Sequence, residues 1–268
     1  MIHPHTYIDP KAKLATNVKV DPYTVIYGDV KIGEGTWIGS NVTIMDGARI
    51  GKNCRIFPGS VISAIPQDLK FSGEYSTVQI GNNTTIREFA TINRGTADRQ
   101  TTIIGNNCLI MAYCHIAHDC IIEDNCILSN NTQVAGHVTM GTHSILAGMC
   151  AVHQFVKIGQ HSYIGGGSLV GKDVPPYIKA SRHPLSYAGV NSVGLKRKGF
   201  TIKQINHILD IFRVIYNKGL NTTQALNYLE EDFEASDERD EIVTFIRNSN
   251  RGIIKRITKN GTDEDIVN

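Results

Sequence analysis

IGNNCLIMAYCHIAHDCIIEDNCIL, residues 104–128, places an aliphatic side chain at every sixth position: Ile104, Ile110, Ile116, Ile122 and Leu128. The series extends in both directions. It starts at Ile8 and runs through Leu14, Val20, Ile26, Ile32, Ile38, Ile44, Ile50, Ile56 and Ile62, then resumes at Ile80, Ile86 and Ile92. Beyond Leu128 it continues through Val134, Met140, Leu146, Val152, Ile158, Ile164 and Val170. A helix repeats at about 3.6 residues and a plain strand at about 2. A period of six is the signature of a hexapeptide solenoid, a parallel β-helix.

Four residues after each aliphatic stands a small residue, as at Thr36, Ala48, Ser60, Thr84, Thr132, Ser144, Ser162 and Ser168. The physical reading is a triangular prism. Each hexapeptide supplies a short strand and a corner, and three of them close a coil of 18 residues. The aliphatic fills the interior from the flat face, and the small residue points inward where the corner leaves no room. Coils stacked at a strand spacing of about 4.8 Å make each side a parallel sheet. Corner segments such as Gly51-Lys52-Asn53, Gly81-Asn82-Asn83 and Gly105-Asn106-Asn107 carry the residues that sharp turns need.

The interruptions matter as much as the repeat. Counting in sixes, the aliphatic slot falls to Asp68, Glu74 and Asp98. A charge cannot fill a dry interior without neutralising or pairing. Residues 65–77 and 94–102 are therefore expected to be loops thrown out of the prism. Loops on a rigid scaffold are favoured places for binding residues.

With 268 residues and a net charge of +2, the chain suits an elongated domain and a smaller one. It has no run of 18 apolar residues, nor a charged-then-apolar start, so neither a membrane span nor export is expected. The six cysteines, Cys54, Cys108, Cys114, Cys120, Cys126 and Cys150, all occupy the small inward slot. They read as compact apolar filler, and free buried thiols suit a reducing cytoplasm.

The prism should end near Asp173-Val174-Pro175-Pro176-Tyr177, where two prolines remove ladder donors. The division is set at 1–183 for the β-helix and 184–268 for a helical domain. In the latter, Thr201 is an N-cap candidate for a helix with Ile205, Ile208, Leu209, Phe212, Ile215 and Tyr216 on one face, closed by Gly219. Further helices are expected at 223–231 and 237–248, and the polar tail from Asn260 to Asn268 is expected to fray. The simplest role for these helices is to cover the last coil, an unpaired sheet edge. The fold class is thus mainly β, with a small α-helical end.

Residues 18 apart lie above one another in such a coil. His118 begins a column that continues with Gly136 and Gln154, and Asp119 begins the next, followed by His137 and Phe155. His115 and His153 fall on the face leading into the same corner. His143 and His161 stack on a different corner, where they are expected to be packed or solvated. Imidazole is the side chain that accepts a proton near neutral pH without large tuning. A neighbouring carboxylate such as Asp119 would fix its tautomer and stabilise the cation formed. Gly136, one coil above His118, leaves a backbone N–H uncovered for a developing oxyanion.

Taken with His115-Ile116-Ala117-His118-Asp119-Cys120, several segments give the chain a family resemblance. They are Pro66-Gln67-Asp68-Leu69-Lys70, Thr91-Ile92-Asn93-Arg94-Gly95-Thr96, Ala151-Val152-His153-Gln154-Phe155 and Gly194-Leu195-Lys196-Arg197-Lys198-Gly199-Phe200. Over nearly its whole length the chain resembles the acyl-carrier-protein-dependent UDP-N-acetylglucosamine O-acyltransferases, which begin lipid A synthesis in Gram-negative bacteria. The resemblance implies a left-handed β-helix, an exception to the right-handed crossover rule. It also implies a cytoplasmic homotrimer with sites between neighbouring prisms.

By the same resemblance, His118 is the general base on the glucosamine 3-hydroxyl and Asp119 orients it. The attack falls on the thioester of an (R)-3-hydroxyacyl chain on acyl carrier protein, whose phosphopantetheine is part of the substrate, and Gly136 N–H holds the oxyanion. No metal, cofactor or covalent intermediate is called for. Gln67, Asp68, Lys70, His115, His137 and Gln154 are the residues implied for the sugar nucleotide, and His153 for the acyl and pantetheine side. Asn191 and Arg197 are implied at the nucleotide end. Arg197 and Lys198 would also favour the acidic carrier protein and the diphosphate. Tyr163, Gly166 and His183–Pro184 are the candidates for the end of the acyl chain. Two positions depart from some relatives: Asn93 replaces His, and Lys198 replaces Arg. The first bears on the acceptor, because family members differ over a 3-hydroxyl or a 3-amino sugar.

Other classes are disfavoured by the residues. The related N-acyltransferase carries a uridine-binding domain before the solenoid, and here the repeat begins at Ile8. A zinc enzyme like the γ-type carbonic anhydrases needs three ligands converging at about 2.0–2.1 Å. The local pair His115 and His118 lacks the spacing of that family. A noncatalytic scaffold would leave the histidines as packing. Residues 166–172 imitate a phosphate loop, but Asp173 stands where Ser or Thr would bind magnesium. Lys196, Arg197 and Lys198 are too few, and lack interleaved aromatics, to indicate nucleic acid.

Overall fold

The computed structural model describes residues 1–257, so the tail from Asn260 to Asn268 lies outside the described residues. The chain winds into a left-handed parallel β-helix with three flat sides of nine, eight and ten strands. Strands are numbered β1 (Tyr7–Ile8) to β27 (Ser186–Val190) in chain order. The nine-stranded side includes β10 (Val61–Ala64), β13 (Thr91–Asn93), β16 (His115–Ile116) and β25 (Leu169–Val170). The eight-stranded side includes β11 (Thr77–Ile80), β14 (Thr101–Ile104) and β17 (Ile121–Ile122).

Register follows the repeat. Ile116 pairs with Val134 and Ile110 with Leu128, so each inward aliphatic rests on that of the next coil. One coil separates Asn17 from Gly35, whose amide it accepts, 18 residues on. Column starts lie one repeat earlier than the series suggested, because Ile2 bridges to Val20. The third corner residue takes a left-handed backbone, at Asn53 (φ 54°), Asn107 (φ 55°) and Asn125 (φ 60°) among others. Asparagine tolerates that region better than most residues, which explains its frequency there.

The small inward residues do more than fit. Thr24, Thr36 and Thr84 donate their hydroxyls to carbonyls of the next coil at 2.7, 2.9 and 2.7 Å. Cysteine does the same with sulfur: Cys54 to Gly81, Cys114 to Ser129 and Cys120 to Ala135, each at 3.1 Å. All six thiols are free and buried. Burial pushes Cys114 up to about 11 and Cys120 up to about 12, so neither is a nucleophile despite bracketing the histidines.

Two coils are longer than the rest. Lys52 N–H reaches Asn82 across 30 residues and Asn82 N–H reaches Asn106 across 24. The surplus leaves the prism as residues 65–76 and 94–100, while Thr77 and Thr101 are already paired in β11 and β14. The two excursions hold each other: Glu74 Oε1 accepts Ala97 N–H at 2.9 Å, and the Arg94 guanidinium lies over Phe71.

After β25 the chain forms a hairpin. β26 (Ile178–Ser181) runs parallel to β24 (Tyr163–Ile164), and β27 returns antiparallel on it. The boundary expected at 183/184 falls in this turn, so the first strand beyond it still belongs to the ten-stranded side. Four helices follow: α1 (Ser192–Arg197), α2 (Ile202–Asn217), α3 (Thr222–Glu231) and α4 (Asp237–Arg247). Thr201 caps α2 with a reciprocal Gln204 box, and Gly219 lies beyond its end at φ 69°. α1 was not foreseen, because six residues including Gly194 carry too little periodicity.

Asp173 is buried and joins the two regions, accepting Lys157 N–H at 2.8 Å and the Ser249 hydroxyl at 2.6 Å. It serves where the imitation phosphate loop would have needed Ser or Thr. α4 is tied down by Glu241, whose carboxylate accepts from the Tyr177 hydroxyl and the Gln160 amide. Burial pushes the Glu241 carboxyl above its ordinary 4.5, against the pull of those two bonds, and Glu123 and Glu238 add to the rise. A carboxyl raised on folding supports the native state while neutral and loses that support as pH climbs through its native value. Glu241→Gln, neutral throughout, is expected to melt above the parent at about pH 8 and with it at about pH 4. Parallel melting curves at both pH values would remove this reading.

Candidate active site

The corner between β16 and β17 brings His118, Asp119 and His137 together. Asp119, His137 and Phe155 are the left-handed corner residues of successive coils, at φ 59°, 63° and 65°. That shared conformation stacks them: the His137 ring lies on Phe155 with centroids 4.4 Å apart, and His118 meets His137 edge-on at 5.1 Å. Gly136 lies against His118. A Cβ there would fall 2.7 Å from its Cε1 and Nε2, so the ring occupies the space that any side chain would claim. Among the described residues no carbonyl takes up the Gly136 N–H.

His118 Nδ1 is 2.8 Å from Asp119 Oδ2, and its Nε2 faces Asp68 Oδ2 at 4.0 Å. Asp119 is completely buried, 0% exposed, beneath the second excursion. Burial alone would raise its carboxyl, yet hydrogen bonds from Thr96 and His118 and the nearby His137 outweigh that and hold it below 3.8. An ionised carboxylate only accepts, so Nδ1 carries the proton and donates. The lone pair is then on Nε2, at the open side of the ring.

The carboxylate has little capacity left. Thr96 N–H reaches Oδ1 at 3.0 Å and Oδ2 at 3.2 Å, Thr96 Oγ1 donates to Oδ2 at 2.6 Å, and Arg99 N–H reaches Oδ1 at 3.3 Å. His118, Asp119 and His137 are close enough to resemble a metal-ligand set. Ligation by Asp119 would have to break these bonds, so the donor set does not suit a metal ion. Burial lowers the basicity of His137, partly opposed by Asp119, and its Nδ1 lies 3.2 Å from Asp98 Oδ2 but out of line for a hydrogen bond.

Other candidates are distributed around this centre. His115 shares a 2.8 Å hydrogen bond with Thr91 Oγ1, and burial followed by the neighbouring His118 lowers its basicity. Gln67 and Lys70 are exposed on the first excursion with Asp68 half-buried between them. His153 and Gln154 are exposed one coil beyond His137, with His153 Nδ1 3.1 Å from Gln154 O. Asn93 is buried, its amide nitrogen donating to Ile65 O at 3.2 Å while Oδ1 has no partner among the described residues.

Asn191, Arg197, Lys198 and Gly166 stand elsewhere. Asn191 caps α1 and donates to His161 O at 2.9 Å, which fixes it at the corner between the eight- and ten-stranded sides. Lys198 is near His143 and His161 at that same corner, and Arg197 ends α1. His143 and His161 are stacked at 4.9 Å, with Tyr177 and Phe200 continuing the pile. Gly166 lies at the third corner, between β24 and β25. Thr91, Thr96 and Thr102 were missed by sequence reasoning. Thr96 and Thr102 fall inside the excursion expected at 94–102, which is the one signal for either, although Thr102 is already paired in β14.

Comparison with known proteins places these features in context. A family model described as Udp N-acetylglucosamine O-acyltransferase, domain 2, matches residues 173–254, and a bacterial transferase hexapeptide model matches 29–64 and 101–136. The acyl-[acyl-carrier-protein]–UDP-N-acetylglucosamine O-acyltransferase of Xanthomonas oryzae is 46% identical over 257 residues, 95% of this chain and 98% of its own. That of Janthinobacterium is 43% identical over 260 residues, covering 95% and 99%. Among solved structures, the UDP-N-acetylglucosamine acyltransferase of Bacteroides fragilis superimposes with a TM-score of 0.94 at 48% identity, over 95% of this chain and 100% of that one. That of Francisella novicida gives 0.93 at 40% identity, over 97% and 95%.

Proposed function

This chain belongs to the acyl-[acyl-carrier-protein]–UDP-N-acetylglucosamine O-acyltransferases, and from that membership we infer its reaction and the part His118 plays in it. It transfers an (R)-3-hydroxyacyl chain from acyl carrier protein to the 3-position of UDP-N-acetylglucosamine, the first step of lipid A synthesis. The observation that carries the mechanism is the 2.8 Å contact between His118 Nδ1 and the buried Asp119 carboxyl, with Nε2 on the open side of the ring.

Nε2 takes the proton of the sugar 3-hydroxyl as that oxygen attacks the thioester carbonyl. The new C–O bond forms, the carbonyl electrons pass to the oxyanion, and Gly136 N–H receives it. Collapse breaks the C–S bond. The imidazolium returns its proton to the departing pantetheine sulfur, so the enzyme ends unchanged. Asp119 stabilises the transient cation and keeps the ring from turning. Asp68, 4.0 Å from Nε2, is suited to hold the sugar beside the base, with Gln67, Lys70, His115, His137 and Gln154 around it. His153 would border the acyl and pantetheine side.

We also infer a homotrimer. The catalytic corner, the nucleotide-end residues Asn191, Arg197 and Lys198, and the acyl-end candidate Gly166 belong to three different edges. Packing unlike edges of neighbouring prisms together would unite what one chain separates. We place the reaction in the cytoplasm, in keeping with six free buried thiols. No helix of the described residues is long and apolar enough to cross a membrane.

The test is direct. Purified protein is supplied with a panel of 3-hydroxyacyl carrier proteins and either UDP-N-acetylglucosamine or its 3-amino analogue, and products are read by mass spectrometry. An O-acylated sugar nucleotide is expected. Failure to acylate either acceptor from any carrier would overturn the assignment.

A further inference from the structure

Asp119 faces two imidazoles with the same oxygen. His118 Nδ1 lies 2.8 Å from Oδ2 and His137 Nε2 lies 3.8 Å from it. A carboxylate free to rotate about its Cβ–Cγ bond could turn toward either ring, or divide itself between them. It meets His118 at Nδ1, which leaves the lone pair on Nε2, but it meets His137 at Nε2, so a turn toward His137 would protonate that nitrogen and leave His118 without its orienting partner. The tautomer and orientation of His118 therefore depend on what fixes the carboxylate plane.

That plane is fixed from the second excursion. The Thr96 amide reaches both carboxylate oxygens, at 3.0 and 3.2 Å, which sets the tilt of the group. The Thr96 hydroxyl donates to Oδ2 at 2.6 Å, the oxygen that also receives His118. The backbone of Asp119 is held as well: its N–H donates to Thr102 Oγ1 at 2.8 Å, and the Arg99 guanidinium donates to its carbonyl at 2.8 Å. Thr96 is itself buried, and its neighbour Ala97 is pinned to Glu74 on the first excursion. This loop thus closes over the carboxylate like a cap, with Thr96 touching both oxygens and the Arg99 N–H reaching Oδ1 at 3.3 Å.

We propose that Thr96 is a positioning residue for acyl transfer: by holding the Asp119 carboxylate on both oxygens it commits that group to His118 rather than His137, and so sets the His118 tautomer. The proposal rests on the reading of His118 as general base. Thr96 makes no contact with His118 and acts on it through Asp119, its hydroxyl otherwise only accepting the Asp98 N–H at 3.4 Å. A hydroxyl bonded to an anion is among the stronger hydrogen bonds, and its loss leaves a buried oxygen short of a donor.

Thr96→Val keeps the shape and the backbone amide and removes only the hydroxyl. It is expected to lower kcat about 10- to 100-fold, with KM for the sugar nucleotide within about twofold. Thr96→Ser, which restores the donor, is expected to return most of the activity. Freed of the Thr96 hydroxyl, one of the groups that hold it low, the Asp119 carboxyl, faced by His118, His137 and Arg99, should take up a proton at higher pH than in the parent.

Nitrogen-15 spectra of histidine-labelled protein give a readout independent of turnover. In the parent, His118 is expected to show a protonated Nδ1 and a bare Nε2, and in Thr96→Val a mixture of tautomers. A parent His118 protonated at Nε2 would overturn the proposal whether or not any variant folds. So would Thr96→Val with parental kcat, or a slow Thr96→Val whose His118 spectrum is unchanged. Should His118→Ala remain active, the base assignment falls, while the nitrogen spectra still judge the clamp.

Discussion

Replacing His118 by Ala is expected to lower turnover by about 10²–10⁴-fold, the usual contribution of a general base, while the coil and its assembly mass stay as they are. The ring is only 14% exposed, but it contributes no packing to the prism interior, which is filled by the aliphatic column and the small inward residues. Its loss removes a nitrogen that, alone among the described residues, is both linked through its ring to the buried Asp119 carboxyl and open on the other side. His137 cannot take its place by default. It stands 3.8 Å from the Asp119 oxygen, and burial lowers its affinity for a proton. The measurement is kcat with saturating UDP-N-acetylglucosamine and acyl carrier, beside circular dichroism and sedimentation. A folded, assembled variant with near-parental kcat would remove His118 from the mechanism.

Gly136→Ala should come next in effect, at about 10²-fold in kcat, although it adds a single methyl group. Its carbon would sit 2.7 Å from His118 Cε1 and Nε2 and 3.2 Å from Nδ1. The ring cannot step aside without leaving Asp119, which Thr96 and Arg99 hold in place, and the edge-on His137 stands beside it. Gly136 does not have a positive φ, so Ala meets no backbone obstacle and the melting temperature should change little. The N–H assigned to the oxyanion is retained. The substitution therefore isolates displacement of the base from loss of the oxyanion donor. Parental kcat, or an unmoved His118 in nitrogen-15 spectra, would show that the ring has room the geometry denies it.

The dependence of both results on Thr96 links the site to the excursions. Residues 65–76 and 94–100 are held together by Glu74 and Ala97, and they bring Asp68 and Thr96 to opposite ends of one imidazole. The first faces its Nε2. The second governs, through Asp119, its Nδ1.

Much of this molecule could be read from its residues. A period of six reports the coil directly, because each strand contributes one side chain to a narrow interior and one small residue to a corner. The same period exposed the excursions, since Asp68, Glu74 and Asp98 cannot occupy that interior. It also foretold that Asp119 and His137 stack, because a stack of equal coils turns distance along the chain into height along an edge. The thiols followed from the slot they occupy. The helical end was legible at α2, α3 and α4, where apolar spacing and caps agree, and illegible at α1, which is too short for a pattern.

What the sequence determined alone was everything that depends on repetition: the coil, its core, the corner columns and the places where the coil is broken. What only the tertiary structure decided was how the breaks fold back. Thr96 reaches Asp119 across 23 residues, with a loop between them that has no period of its own. Its contact is set by loop closure and hydrogen-bond satisfaction, not by register. The placing of Asn191, Arg197 and Lys198 away from the histidine corner is of the same kind, because it depends on where the closing hairpin and α1 return to the prism. Periodic order is written locally and survives inspection one residue at a time. The meeting of two irregular segments is a property of the packed chain.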